Sequence, residues 1–208
     1  LYSVAWVDCL ASKESLGRSV LMRGNHALAS ELPSKLSKNP YRLPRRPTLA
    51  VPVDFPGFAL NRWSIHAFNT LFYATNKDTR AKIVDYDKFF YPLDGILRWN
   101  RMYGKKGFIQ YQATFPFSER AGLVQMLERL AQAKRASFLV VLKCFGEAGS
   151  GMLSYPMPGY TLALDIPNRP GLEEFTRELD RILLDHGGRL YLAKDALTAP
   201  ETFAAMYP

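Results

Sequence analysis

Two stretches of this 208-residue chain repeat one pattern, and that repetition limits the architecture more than any single motif. From about Gly107 to Phe145, and again from Tyr160 to Leu192, a β-type run is followed by an amphipathic helical run and a second β-type run. In the first unit Ser118 is placed to cap a helix over Glu119 to Lys134, with Leu123, Met126, Leu127 and Leu130 on one stripe. In the second, Pro170 to His186 carries Leu172, Phe175, Leu179 and Leu183 and stops at Gly187-Gly188. Spacing of three and four residues turns one face of each helix toward a core. Two such units predict an α+β fold, a mainly antiparallel sheet with helices packed on one face.

The strand that opens the first unit, Gly107 to Pro116, alternates in an unusual way. Ile109, Tyr111 and Ala113 fall on one side, and Phe108, Gln110 and Gln112 on the other. Two amides two residues apart either face water or line a cavity where a polyhydroxy ligand satisfies them. Lys143 raises the same question within Leu139-Val140-Val141-Leu142-Lys143-Cys144-Phe145, because a lysine in an apolar strand must be paired, snorkel out or reach a cavity.

The rest of the chain reads as a strand at 2–8, a turn, a strand at Arg18 to Gly24, and a helix at Arg62 to Asn76. In that helix Trp63, Ala67, Thr70 with Leu71, and Ala74 recur at spacings of three and four, and Trp63, Phe68, Phe72 and Tyr73 are expected in the core. A short strand at Lys82 to Tyr86, an Asp94-capped helix from Gly95 to Tyr103, a last strand at Arg189 to Asp195 and a last helix at Thr198 to Met206 follow. Between Ser30 and Leu60 six prolines exclude helix and central strand, and Lys35, Lys38, Arg42, Arg45 and Arg46 face only Glu31 and Asp54. This segment, residues 30–60, reads as a flexible basic loop or a mobile lid.

Composition narrows the chemistry. The net charge of +8 favours anionic partners: phosphates, nucleic acid or an anionic membrane surface. Nucleic acid is not expected as a partner, since no basic helix or RNP-like aromatic pair is present. Cys9 and Cys144 lie far apart in apolar runs and read as small buried hydrophobes. His26, His66 and His186 have no metal-ligand spacing, and no metal is expected. Phosphate-binding glycine loops, a nucleophile elbow and a zinc-helix motif are all missing. No apolar run reaches the roughly 18–20 residues that span a bilayer, so the expected location is cytoplasmic or peripheral to a membrane. The chain opens within a strand, without an initiator methionine, as expected for a piece of a longer protein.

Several runs together resemble one family. They are Tyr2-Ser3-Val4-Ala5-Trp6-Val7-Asp8, Phe90-Tyr91-Pro92-Leu93-Asp94, Trp99-Asn100-Arg101-Met102-Tyr103-Gly104 and Gly107-Phe108-Ile109-Gln110-Tyr111-Gln112. Leu142-Lys143-Cys144-Phe145-Gly146, Leu153-Ser154-Tyr155-Pro156-Met157-Pro158-Gly159 and Gly187-Gly188-Arg189-Leu190-Tyr191-Leu192-Ala193-Lys194-Asp195 complete the set. In this order they resemble the decaprenylphosphoryl-β-D-ribose 2′-oxidase family, FAD-linked oxidases of the vanillyl-alcohol-oxidase type.

The resemblance implies that residues 1–208 are a substrate-binding domain, with an FAD-binding domain upstream. It implies FAD as cofactor, oxidation of a ribose 2′-hydroxyl on a polyprenyl phosphate, a partner short-chain reductase that completes an epimerisation, and peripheral membrane contact. By position it implies that Trp6, Phe90, Leu93, Gln110, Gln112, Lys143 and Phe145 bind substrate. Tyr191, Ala193 and Lys194 would approach the flavin, with Lys194 as the catalytic residue. The chain departs from the family at Ala163, where mycobacterial members carry cysteine, and at Phe90, where they carry tyrosine. Alternatives are an aldonolactone or alditol oxidase acting on free sugars, and a non-catalytic module that binds polyanions or lipid phosphates.

Overall fold

The computed structural model describes residues 2–42, 48–76, 80–91, 93–135 and 139–208. Part of the expected basic loop, residues 43–47, and the expected strand start at Phe138 lie outside the described residues.

The elements in order are β1 (Tyr2–Val7), β2 (Ser19–Gly24), α1 (Ser34–Ser37), β3 (Leu49–Ala50), α2 (Arg62–Thr75), α3 (Tyr86–Phe90) and β4 (Ile96–Leu97). Then come β5 (Phe108–Pro116), α4 (Arg120–Ala133), β6 (Val140–Phe145), β7 (Gly159–Pro167), α5 (Leu172–Asp185), β8 (Arg189–Leu190) and α6 (Pro200–Met206). Six strands form one sheet in the order β2-β1-β6-β7-β5-β8, and every pairing in it is antiparallel. The repeated units are interleaved. β7 sits between β5 and β6, and β5 between β7 and β8, which is the split β-α-β arrangement of ferredoxin-like folds. The expected α+β class is the observed one.

One face of the sheet is closed by α4 and α5. Ala113, Phe115, Leu162, Leu164 and Ile166 from the strands meet Met126, Leu130, Leu179 and Leu183 from the helices, all nearly inaccessible to water. The sheet is drawn tight where β7 starts: a Cβ on Gly159 would lie 2.1 Å from the Phe115 carbonyl oxygen, so only glycine permits that pairing.

Several local expectations are corrected. Lys82 to Tyr86 forms no strand, and Ile83 and Val84 are exposed. A short helix starts after Asp85 instead, with Asp87 in its first turn, where acidic residues suit the helix dipole. The helix expected at 95–103 is broken by Arg98, which sits in the left-handed region at φ 58°. Ile96 and Leu97 pair in parallel with Leu49 and Ala50, and a 3-10 turn spans Trp99–Tyr103. Ser118 lies inside a 3-10 turn and does not cap α4, which begins at Arg120. The strand expected over 189–195 ends at Leu190, and a 3-10 turn covers Leu192–Lys194. Cys144 is exposed rather than buried, because both faces of β6 are open at its end, where Lys143 is exposed as well.

The largest correction concerns α2. Its periodic stripe, Trp63, Ala67, Thr70 with Leu71, and Ala74, faces outward, and of the expected core Trp63 and Phe68 are exposed while Phe72 and Tyr73 are half-buried. Ile65 and Asn69, one turn apart, are its buried residues, and Phe72 packs on Trp6 at 4.7 Å. Asn69 donates to the buried Asp8 carboxylate at 2.6 Å, and Arg18 pairs with the other carboxylate oxygen. A buried charge needs such partners, and satisfying it outweighs covering a greasy stripe.

Candidate functional site: the polar face of the sheet

The opposite face of the sheet is polar at its centre. Residues directly opposite in an antiparallel pair share a face. On β5 and β7, Gln110 faces Asp165, Gln112 faces Ala163 and Thr114 faces Thr161. On β7 and β6, Thr161 faces Lys143 and Gly159 faces Phe145. One face therefore gathers two amides, two hydroxyls, a carboxylate and an ammonium, with Ala163 as the small residue among them.

Hydrogen bonds organise this face. The Gln110 amide donates to Asp165 Oδ1 at 3.0 Å, and the Tyr103 hydroxyl to Oδ2 at 3.4 Å. The Gln112 amide donates to Thr161 Oγ1 at 3.3 Å. Tyr155 reaches in from the Gly- and Pro-rich loop before β7. Its hydroxyl lies 2.7 Å from Thr114 Oγ1 and 2.8 Å from Thr161 Oγ1. Its ring stacks on Tyr191 at 4.7 Å and meets Phe145 edge-on at 5.5 Å. Beside Gln112, the Tyr191 N–H donates to the Gln112 carbonyl at 2.9 Å, and the Lys194 N–H to the Tyr191 carbonyl at 2.8 Å. That short ladder carries Lys194 from the sheet edge to the polar face.

The electrostatics follow from burial. Asp165 is 2% exposed, and burial pushes its carboxyl up to about 6, opposed by the Gln110 amide, the Lys194 charge and the Tyr103 hydroxyl. Burial lowers Lys194. The Asp165 charge opposes that shift, and Lys143 adds to it. Burial pushes the Tyr155 phenol up to about 12, so it stays a neutral donor. An acid and a cation moved toward neutral pH from opposite sides, next to hydroxyl donors, can bind a polyol and exchange a proton with it.

The structure brings together Gln110, Gln112, Lys143, Phe145, Tyr191 and Lys194 of the residues singled out by sequence, and Ala193 lies exposed beside Lys194. Trp6 shares the face through its pairing with Val141, yet it is buried against Phe72 of α2 at 4.7 Å. Phe90 packs edge-on to Tyr2 and Phe89 on α3, and Leu93 lies half-buried in the turn before β4. The sequence reading passed over Asp165, Thr161, Tyr103 and Tyr155. Asp165 was findable: it is the lone charge in an apolar strand, at the same alternation as Thr161 and Ala163. Tyr155, in a loop without periodicity, carried no such signal.

This gathering of polar groups on one sheet face can be set against known proteins. No family model matches the chain. It is 39% identical over 207 residues, its whole length, to the decaprenylphosphoryl-beta-D-ribose oxidase of Mycolicibacterium smegmatis, of which it covers 45%. The chain matches part of that enzyme. It is also 31% identical over 216 residues to a Streptomyces coelicolor protein described as "Uncharacterized protein in mprA 5'region", of which it covers 58%. The chain thus spans about half the length of the curated relatives it matches. An oxidoreductase-related domain is the conclusion this similarity supports.

Proposed function

We propose that the chain is the substrate-binding part of an FAD-dependent oxidoreductase that oxidises a sugar hydroxyl, the 2′-hydroxyl of a polyprenyl-phosphoryl ribose. The observation that carries this reading is the Gln110–Asp165 pair on the polar sheet face, beside Gln112, Lys143 and Lys194. Side-chain amides and a carboxylate are the groups that hold vicinal sugar hydroxyls in a fixed orientation.

The residues at the sheet edge fit a flavin. Ala193 is exposed and has no long side chain to keep a planar ring away, and Lys194 offers a half-buried cation to a ring that gains negative charge. When bound, FAD supplies the hydride acceptor. The chain's own part is to bind and polarise. Gln110 and Gln112 orient the sugar, and Asp165, held near neutrality, takes up a hydroxyl proton. The Tyr155 and Tyr191 rings wall off water on one side. The same reading proposes peripheral membrane contact through the exposed Trp63 and Leu71 of α2, with the Arg62 guanidinium 4.2 Å above the Trp63 ring. It also proposes a partner reductase that acts on the ketone product.

The test is the visible spectrum of the complete gene product under anaerobic conditions. A flavin spectrum that bleaches on adding polyprenyl-phosphoryl ribose is the expected result. Absence of flavin, or bleaching only by free sugars or lactones, overturns it.

A further inference from the structure

Next to the polar face lies a cavity of about 610 Å³ that the reading above does not use. That is the size range of small-molecule sites. Its apolar lining is Phe55, Pro56, Leu60, Met102 and Pro167. Its rim carries Lys105, Lys106 and Arg169 against one acid, Asp54, an excess of two positive charges. Lys105 and Lys106 are exposed.

The walls are held in place. The Phe55 N–H donates to the Arg101 carbonyl at 2.9 Å, and the Arg101 guanidinium donates back to the Val51 carbonyl at 3.3 Å and to that of Pro52. On the other side the Arg169 guanidinium donates to the Leu60 carbonyl, tying the loop to the end of β7. Gly104 lies at φ 69°, and a Cβ there would sit 2.6 Å from the Phe55 carbonyl oxygen, so a glycine is needed where the two walls meet.

One residue joins this cavity to the polar face. Tyr103 lines the cavity, stacks on Phe108 at 4.2 Å and points its hydroxyl at Asp165. A molecule whose sugar rests on Gln110 and Asp165 therefore lies, across Tyr103, beside a cavity lined by both cations and apolar side chains. We propose that this cavity binds the phosphate-bearing isoprenoid arm of the substrate. The inference deepens the function proposed above and rests on it for the identity of the sugar. Cations and apolar side chains lining one cavity match the phosphate and the hydrocarbon of such a substrate. A free sugar leaves the cavity empty.

The test measures binding of farnesyl phosphate to the complete gene product by titration calorimetry, apart from turnover. Lys105→Glu/Lys106→Glu reverses the rim charge. Gly57→Trp fills the cavity from a position where an added Cβ meets nothing within 4 Å. The wild type binds the probe, each variant weakens it roughly tenfold or more, and farnesol or inorganic phosphate alone binds far more weakly. Equal binding in wild type and both folded variants overturns the inference, as does flavin reduction by the ribose conjugate without any binding of farnesyl phosphate. Lysine-dependent binding of farnesyl phosphate in a protein whose flavin no ribose conjugate reduces keeps the cavity assignment and sinks the proposed oxidation.

Discussion

The Gln110 amide donates to Asp165 Oδ1 at 3.0 Å across the β5–β7 pair, joining a sheet-face amide to a carboxyl that burial has moved to about 6. Asp165 should therefore leave a mark on stability as a function of pH. Its folded value lies above its usual 3.8, so the folded state holds the proton longer than the unfolded chain does. This contribution is fully present below about pH 4 and is lost as pH rises through about 6. Two units at 1.36 kcal/mol each set its size at roughly 2–3 kcal/mol. Urea unfolding of wild type and Asp165→Asn across that window measures it: the wild type should lose that much stability relative to the variant. Parallel curves refute the assignment.

On the helix side, the Tyr111 hydroxyl donates to Asp180 at 2.7 Å, both residues being buried. Burial, and then the Asp180 charge, raise the phenol, and burial raises Asp180 against the Tyr111 hydrogen bond. Tyr111→Phe leaves a buried carboxyl without its donor and should cost about 1–3 kcal/mol. Because this pair faces away from the polar sheet face, flavin content and substrate reduction of the complete protein should not change.

Ile65, Asn69 and Phe72 dock α2. Asn69→Ala removes the amide that meets Asp8 and should destabilise that contact by about 1–3 kcal/mol. Amide hydrogen exchange is the measurement. The amides of 62–75 should lose protection while those of β5 and β7 keep theirs. Uniform loss across the sheet contradicts the local role.

Tyr155 anchors its loop through two threonine hydroxyls. Tyr155→Phe keeps the ring stack on Tyr191 but removes the acceptor of the Thr114 hydroxyl and leaves Thr161 only its Gln112 bond, both threonines being fully buried. The expected cost is about 1–2 kcal/mol, read as a lower midpoint in urea with an unchanged slope.

The interleaved core was legible because period and polarity agree there. The α4 stripe of Leu123, Met126 and Leu130 and the β5 alternation of Tyr111 and Ala113 point to the same buried layer. At α2 they disagree. The apolar stripe of Trp63 and Leu71 is the stronger periodic signal, yet the inward face carries a polar contact between Asn69 and Asp8, 61 residues away in sequence. No local pattern encodes that partner. The site was half legible for a similar reason. Gln110 and Gln112 stand out in an alternating strand, whereas Tyr103 and Tyr155 join them only through tertiary approach.

Whether the polar sheet face holds the sugar decides the proposed function. The measurement is anaerobic flavin reduction by polyprenyl-phosphoryl ribose in the complete gene product, comparing wild type with Gln110→Ala at equal flavin content. Loss of one amide that orients the sugar and steadies Asp165 should slow reduction by about 10- to 100-fold. Unchanged reduction in Gln110→Ala would place the sugar elsewhere and contradict the central claim.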